Sequence, residues 1–204
     1  MKTEEARNHW DSIYREQPLE EVPWEESKPS AELIRLIESG VVEKGAALDI
    51  GCGSANNAIY LAKQGFTCYG IDISPTAIGY GEEKAAKAGI SCALTSGDVL
   101  ELPYPDSSFA LVFDRGCFHT IAPEDRETFI RGVHRVLKPS GKYQLICFSS
   151  RDHPSSQVPY SFFPEEIHYL FPPLLKIHYI REVSGKEAKG TNHYYLSALM
   201  EKTS

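Results

Sequence analysis

The stretch Ala46-Ala47-Leu48-Asp49-Ile50-Gly51-Cys52-Gly53-Ser54-Ala55-Asn56 limits the folds open to this chain more than any other. A short apolar run meets two glycines one residue apart, and helix-compatible residues follow. This reads as a buried strand, a tight turn and a helix start. Such a turn brings backbone N–H groups and a helix N-terminus against one ligand, the layout of a nucleotide cradle. A strand of this kind is apolar on both faces and belongs inside a parallel sheet covered by helices.

The flanking sequence repeats the alternation. Pro29-Ser30 opens a helix with Leu33, Ile34 and Ile37 on its apolar face and Gly40 as its stop. Residues 46–50 form the first strand, and residues 55–64 a helix capped by Ser54. Phe66 to Ile71 is a strand ending at Asp72; Ser74-Pro75 caps a helix to about Ala88. Ile90 to Thr95 is a strand that runs to Gly97-Asp98, and Phe109 to Phe113 one that runs to Asp114. Pro123-Glu124-Asp125 begins a helix whose face is Phe129, Val133, Val136 and Leu137; Tyr143 to Phe148 is the fifth strand. A polar loop over 149–161 precedes a short helix from Pro164 to Leu170. Two strands, Leu174 to Ile180 and Tyr194 to Met200, make a hairpin across a turn at 184–192. The order predicts an α/β, Rossmann-like fold: a mainly parallel open sheet between two helical layers, with one antiparallel strand. We expect one domain over 1–204. Residues 1–44 are an N-terminal helical lid and first helix, 45–150 the ligand-binding core, and 151–204 an acceptor-side loop, helix and hairpin.

Asp49, Asp72, Asp98 and Asp114 stand at successive strand ends, where ligands of such sheets bind. They decide between nucleotides. Gly51-Cys52-Gly53-Ser54-Ala55-Asn56 lacks the third glycine of a dinucleotide fingerprint. Asp49 beside the turn repels a pyrophosphate and attracts an ammonium group, which S-adenosylmethionine carries. Asp72 fits a ribose diol. Asp98 fits an adenine amino group, and the Val99 amide a ring nitrogen. A nicotinamide-dependent oxidoreductase is the rival reading.

The chain carries a net charge of -7, against nucleic acid as a partner. Its five cysteines include no CxxC pair, and they read as reduced thiols of a cytoplasmic protein. Met1-Lys2-Thr3-Glu4-Glu5 is charged, so no signal peptide is expected, and no apolar run approaches a membrane span.

Leu48-Asp49-Ile50-Gly51-Cys52-Gly53, Tyr69-Gly70-Ile71-Asp72-Ile73-Ser74, Gly97-Asp98-Val99 and Val136-Leu137-Lys138-Pro139-Ser140-Gly141 together resemble the motifs of class I S-adenosylmethionine-dependent methyltransferases. The resemblance implies a seven-stranded sheet with its last strand antiparallel. It implies cofactor contacts from Asp49, Gly51, Gly53, Asp72, Ile73, Asp98, Val99 and Asp114.

Asp114-Arg115-Gly116, Ala122-Pro123-Glu124-Asp125, and Val158 to Ile167 with Leu170-Phe171 are similar to the thiopurine and thiol methyltransferase group. By that resemblance Trp10 and Trp24 contact the cofactor and Arg115 faces the acceptor. Trp10 and Tyr14 lie four residues apart and share a helix face, either stapling that helix to the core or covering a bound cation or acceptor as a lid. The expected reaction is methyl transfer to a small molecule, with a thiol or other soft nucleophile the first candidate. Arg115 would favour a thiolate; His119 would serve as base for an amine or hydroxyl. A non-catalytic S-adenosylmethionine-binding protein is the remaining alternative. No metal, membrane or nucleic acid is expected to take part.

Overall fold

The computed structural model describes residues 3–151, 159–172, 174–186 and 192–203. Helices α1 (Thr3–Glu16) and α2 (Ala31–Glu38) precede the sheet. Then come β1 (Ala46–Ile50), α3 (Asn56–Lys63), β2 (Thr67–Asp72), α4 (Pro75–Lys87), β3 (Cys92–Ser96) and β4 (Phe109–Arg115). The chain continues through α5 (Arg126–Val136), β5 (Leu137–Ser149), β6 (Ser161–Phe162), α6 (Pro164–Leu170), β7 (Leu175–Lys186) and β8 (Asn192–Lys202).

Seven strands lie in the order β3-β2-β1-β4-β5-β8-β7. β1 to β5 pair in parallel, and β8 is inserted antiparallel to both β5 and β7. This is the expected Rossmann-like sheet. The two-residue β6 pairs parallel with β5 and was not foreseen; two residues leave no periodicity to read.

Alternation along the central strands divides the core. Ala47, Leu111 and Phe113 pack with Leu33, Leu36 and Leu61 from α2 and α3. Leu48, Ile50 and Val112 pack with Phe129, Ile130, Val133 and Val136 from α5. Strand order reverses between β1 and β4, which pair directly, so the carboxyl ends of β1, β2 and β4 surround a crevice.

Several local expectations need correction. α2 buries Glu32, Leu33 and Leu36, while Ile34 and Ile37 are half-buried. Glu32 turns inward because the Ser197 hydroxyl and the Arg181 guanidinium donate to it at 2.6 and 2.7 Å. Ser54 does not cap α3. Residue Ala55 holds the cap position without a side-chain bond, and the capping oxygen comes from Asp49. Pro123–Asp125 forms a separate 3-10 turn before α5. Leu137, expected on the helix face, starts β5 by pairing with Phe109 across a register shift. The terminal hairpin is longer than expected, with β7 reaching Lys186 and β8 starting at Asn192. Residues 152–158 of the polar loop and 187–191 of the hairpin turn lie outside the described residues. No helix among the described residues is long and apolar enough to cross a membrane.

Candidate active site

The glycine turn is tied down from below. The Cys52 N–H donates to the Ile71 carbonyl at 3.0 Å, joining the β1 turn to β2. Asp72, at the end of β2, accepts from the Gly53 N–H through Oδ2 at 2.8 Å and from the Ser74 N–H through Oδ1 at 2.9 Å. One carboxylate thereby fixes the Gly51–Gly53 turn and the start of α4 together. Its two oxygens offer about four acceptor sites, so it keeps capacity for a ligand.

A cavity of about 660 Å³ opens above this turn. Gly51, Gly53, Asp72, Ile73, Asp98 and Val99 line one end. Arg115, His119, Ile146, Phe148, Tyr160 and Tyr195 line the other, and Trp10 and Trp24 belong to its wall. Ten of the twelve residues singled out from sequence therefore meet here.

Asp49 and Asp114 do not. The Asp49 carboxylate is 1% exposed and accepts from the Ala58 N–H at 3.1 Å. It works as the N-cap of α3, reached from the neighbouring strand. Burial, with the nearby Asp114 and Asp72 charges adding to it, pushes this carboxyl well above the ordinary carboxylate range, against the Ala58 bond. Asp49 thus stands beneath the turn and does not line the cavity above it.

Asp114 is fully buried. It accepts from the Cys117 N–H at 2.9 Å, the Phe118 N–H at 3.2 Å and the Tyr143 hydroxyl at 2.9 Å, so it holds the loop after β4. Burial raises its carboxyl to about 7 despite those bonds. The native group keeps its proton above the unfolded value of 3.8, so stability falls as pH rises between the two, by up to about 1.4 kcal/mol per pH unit. Asp114→Asn preserves the geometry, because its amide can donate to the Tyr143 oxygen. Thermal unfolding across this range is expected to show a flatter pH dependence in the variant; an unchanged slope would refute the assignment.

The N-terminal segment closes over the turn through polar contacts. Asp11 on α1 accepts from the Ser74 hydroxyl at 2.7 Å and the Thr76 N–H at 3.0 Å, at the start of α4. Buried Glu25 accepts from the Ser54 hydroxyl at 2.5 Å, the Asn56 amide at 2.6 Å and the Lys84 ammonium at 3.1 Å. Burial works to raise the Glu25 carboxyl, and the bonds from Ser54, Asn56 and Lys84 carry it below the ordinary value. The Trp24 indole donates to the Tyr14 hydroxyl at 2.7 Å, and Trp10 meets Trp24 edge-on at 5.6 Å. These three rings stand above the turn; a Cβ at Gly53 would come within 2.8 Å of the Tyr14 oxygen.

At the far end, Arg115 donates to Glu26 at 2.5 Å. Its partner is thus Glu26, from the segment between α1 and α2, and not Asp114. His119 is 8% exposed, and its Nδ1 accepts from the Phe148 N–H at 3.3 Å. Burial, assisted by the Arg115 charge, lowers this imidazole to about 3. With Nδ1 occupied and the ring neutral, the remaining proton sits on Nε2. In this arrangement neither nitrogen of His119 offers a free lone pair to an acceptor proton. Cys117 is buried and its thiol is pushed far up by burial, consistent with core.

Glu25, Glu26, Lys84, Asp11, Phe148 and Tyr195 were not foreseen. Their partners are 29 to 89 residues away in sequence, and no spacing rule spans that distance. An acid beside tryptophan is the one local hint at Glu25.

A methyltransferase-domain family model matches residues 47–141. The 2-heptyl-1-hydroxyquinolin-4(1H)-one methyltransferase of Mycobacteroides abscessus is 32% identical over 157 residues, covering 74% of this chain and 69% of that protein. A structure from work on conversion of a disulfide bond into a thioacetal group during echinomycin biosynthesis superposes with a TM-score of 0.84 at 23% identity, over 96% of this chain and 92% of that one. The 1,6-didemethyltoxoflavin-N1-methyltransferase of Burkholderia thailandensis, solved with 1,6-didemethyltoxoflavin and S-adenosylhomocysteine, gives 0.79 at 22% identity over 98% and 88%. The two structures support the fold. The family match and the mycobacterial relative carry the assignment further, and they agree with the glycine turn, Asp72 and the 3-2-1-4-5 strand order: the chain belongs to the class I S-adenosylmethionine-dependent methyltransferases.

Proposed function

We propose that this chain methylates a small, flat, partly apolar acceptor whose nucleophile arrives ionised or with a free lone pair. One observation carries the reading: a single cavity joins the Gly51–Asp72 turn to Arg115 and the rings of Phe148 and Tyr195. Its volume falls within the roughly 300–1,000 Å³ usual for small-molecule sites.

The residues present fit S-adenosylmethionine. Gly51 and Gly53 leave the turn bare, and Asp72 retains acceptor capacity for a diol. Asp98 has one oxygen taken by the Leu100 N–H at 2.9 Å and keeps the other for an adenine amino group. When bound, the cofactor supplies an electrophilic methyl on a sulfonium. Trp10 and Trp24 would face that cation, an interaction worth roughly 0.5–2 kcal/mol. Arg115 and the rings hold the acceptor in line, so the protein's contribution is position and exclusion of water.

Thiolates, ring nitrogens and acidic hydroxyls all meet the requirement, and the thiol expected from sequence remains among them. The two relatives named above act on flat nitrogen heterocycles according to their names, which supports that class. An amine or aliphatic hydroxyl acceptor needing His119 as base is disfavoured by the occupied Nδ1. A screen for S-adenosylhomocysteine release across thiols, hydroxylated N-heterocycles, alkylamines and aliphatic alcohols tests the reading. Turnover of the first two groups is expected. Turnover confined to alkylamines or aliphatic alcohols would overturn it.

A further inference from the structure

His119 has a feature that the proposed methyl transfer does not use. Its ring is clamped on two sides. Phe148 stacks on it with centroids 4.6 Å apart and planes 6° from parallel, while the Phe148 N–H occupies Nδ1. The Nε2 edge lies beside Gly116, where an added Cβ would sit 3.5 Å from Nε2 and 3.7 Å from Cε1. Gly116 has φ +92°, a conformation closed to side chains in general, and it also lines the cavity. Among the described residues no protein group accepts from Nε2. The residue beside this edge carries no side chain, and both His119 and Gly116 line the cavity.

We propose that His119 is a fixed hydrogen-bond donor that selects acceptors bearing an anionic or carbonyl oxygen. Its Nε2–H and the Arg115 guanidinium, from two residues lining the same cavity, give the acceptor end two donors and no imidazole lone pair. An oxygen that carries charge delocalised from the nucleophile satisfies both; an oxygen-free heterocycle or thiol leaves the Nε2–H facing nothing. The inference rests on the methyl-transfer reading and narrows its substrate class to flat heterocycles with an oxo, N-oxide or acidic hydroxyl group. A hydrogen bond to a charged partner corresponds to about ten- to hundredfold in affinity.

Binding to the complex with S-adenosylhomocysteine tests it, using a matched pair: 2-heptyl-1-hydroxyquinolin-4(1H)-one, the compound named in the relative, and 2-heptylquinoline, which lacks both oxygens. His119→Asn keeps an oxygen for the Phe148 N–H and loses the reach of Nε2. His119→Gln restores an N–H at that reach. We expect the Asn variant to bind the oxygenated compound about ten- to hundredfold more weakly. Its affinities for 2-heptylquinoline and S-adenosylhomocysteine should be unchanged, and the Gln variant should recover most of the loss. Nitrogen NMR of the wild type should show the neutral Nε2–H tautomer across about pH 5–8. Equal losses for both compounds, no preference for the oxygenated one in the wild type, or a proton on Nδ1 would each overturn the proposal. Failure of the wild type to bind S-adenosylhomocysteine at all would instead sink the methyl-transfer reading beneath it.

Discussion

Gly51→Ala is expected to lower the melting temperature by about 5–15 °C and methyl transfer by about a hundredfold or more. Two independent effects add. Gly51 sits at φ +64°, in the left-handed region that disfavours an L side chain by roughly 1–2 kcal/mol. The added Cβ would also lie 2.7 Å from the Cβ of Cys117. Cys117 cannot retreat. Its N–H is held by Asp114 at 2.9 Å, and its carbonyl accepts from the Thr120 N–H at 2.9 Å. Overpacking of this kind adds roughly 1–3 kcal/mol. The second substitution separates the terms. Cys117→Gly removes the clashing atom and should recover part of the loss in the Gly51→Ala background. Cys117→Ala keeps that Cβ and should recover almost none. Differential scanning calorimetry on the wild type and these three variants decides the point; equal rescue by Ala and Gly would show that the contact is not the cause.

The same pair of residues shows what the sequence made legible. Gly51 was readable because a strand-turn-helix junction needs a residue free of Cβ constraints. Its neighbour across the turn, Cys117, was readable only as core, since nothing local says that β4 lies beside β1. Alternation of strands and helices announced a mainly parallel sheet, and the terminal hairpin its antiparallel strand; the order of the strands comes from the structure. The capping chemistry misled in one place. Ser54 has the right residue type for an N-cap, yet Asp49 from β1 does the capping, which frees Ser54 to bind Glu25 and Lys84.

The acids at the strand ends divide in a similar way. Their positions at the carboxyl edge of the sheet are as expected, but position does not fix exposure. Asp72 and Asp98 line the cavity, whereas Asp49 and Asp114 turn under the surface to satisfy backbone N–H groups of the next segment. A strand end followed by a helix or loop always leaves such donors unpaired, and a buried acid is one way to meet them. The acceptor end was the least legible. His119 and Arg115 were found by type, but their states depend on Phe148 and Glu26, one from β5 and one from the segment between α1 and α2.

Asp72→Asn should weaken S-adenosylhomocysteine binding by about a hundredfold and reduce stability by roughly 1–3 kcal/mol. The carboxylate accepts one backbone N–H on each oxygen, from Gly53 and from Ser74. An amide replaces one oxygen with an N–H₂ group, so one donor must face another whichever way the side chain turns. The turn then loses either its tie to Gly53 or its tie to α4, and the diol loses a charged acceptor. A pH signature accompanies the change. Burial raises the native Asp72 carboxyl above its ordinary value, with the Ser74, Gly53 and Ile73 N–H groups opposing. The native state therefore holds this proton at a higher pH than the unfolded chain does. The resulting stability is fully present below the unfolded value and declines as pH rises toward the native one. Ligand affinity runs the other way, because the diol hydroxyls donate to the ionised form. From acid toward neutral pH, the wild type should gain affinity for S-adenosylhomocysteine while Asp72 lowers the stability of the free protein. Asp72→Asn should remove the first slope and its share of the second. Calorimetric titration beside thermal unfolding reads both. Wild-type affinity in the variant at every pH would mean that Asp72 shapes the turn without touching the cofactor.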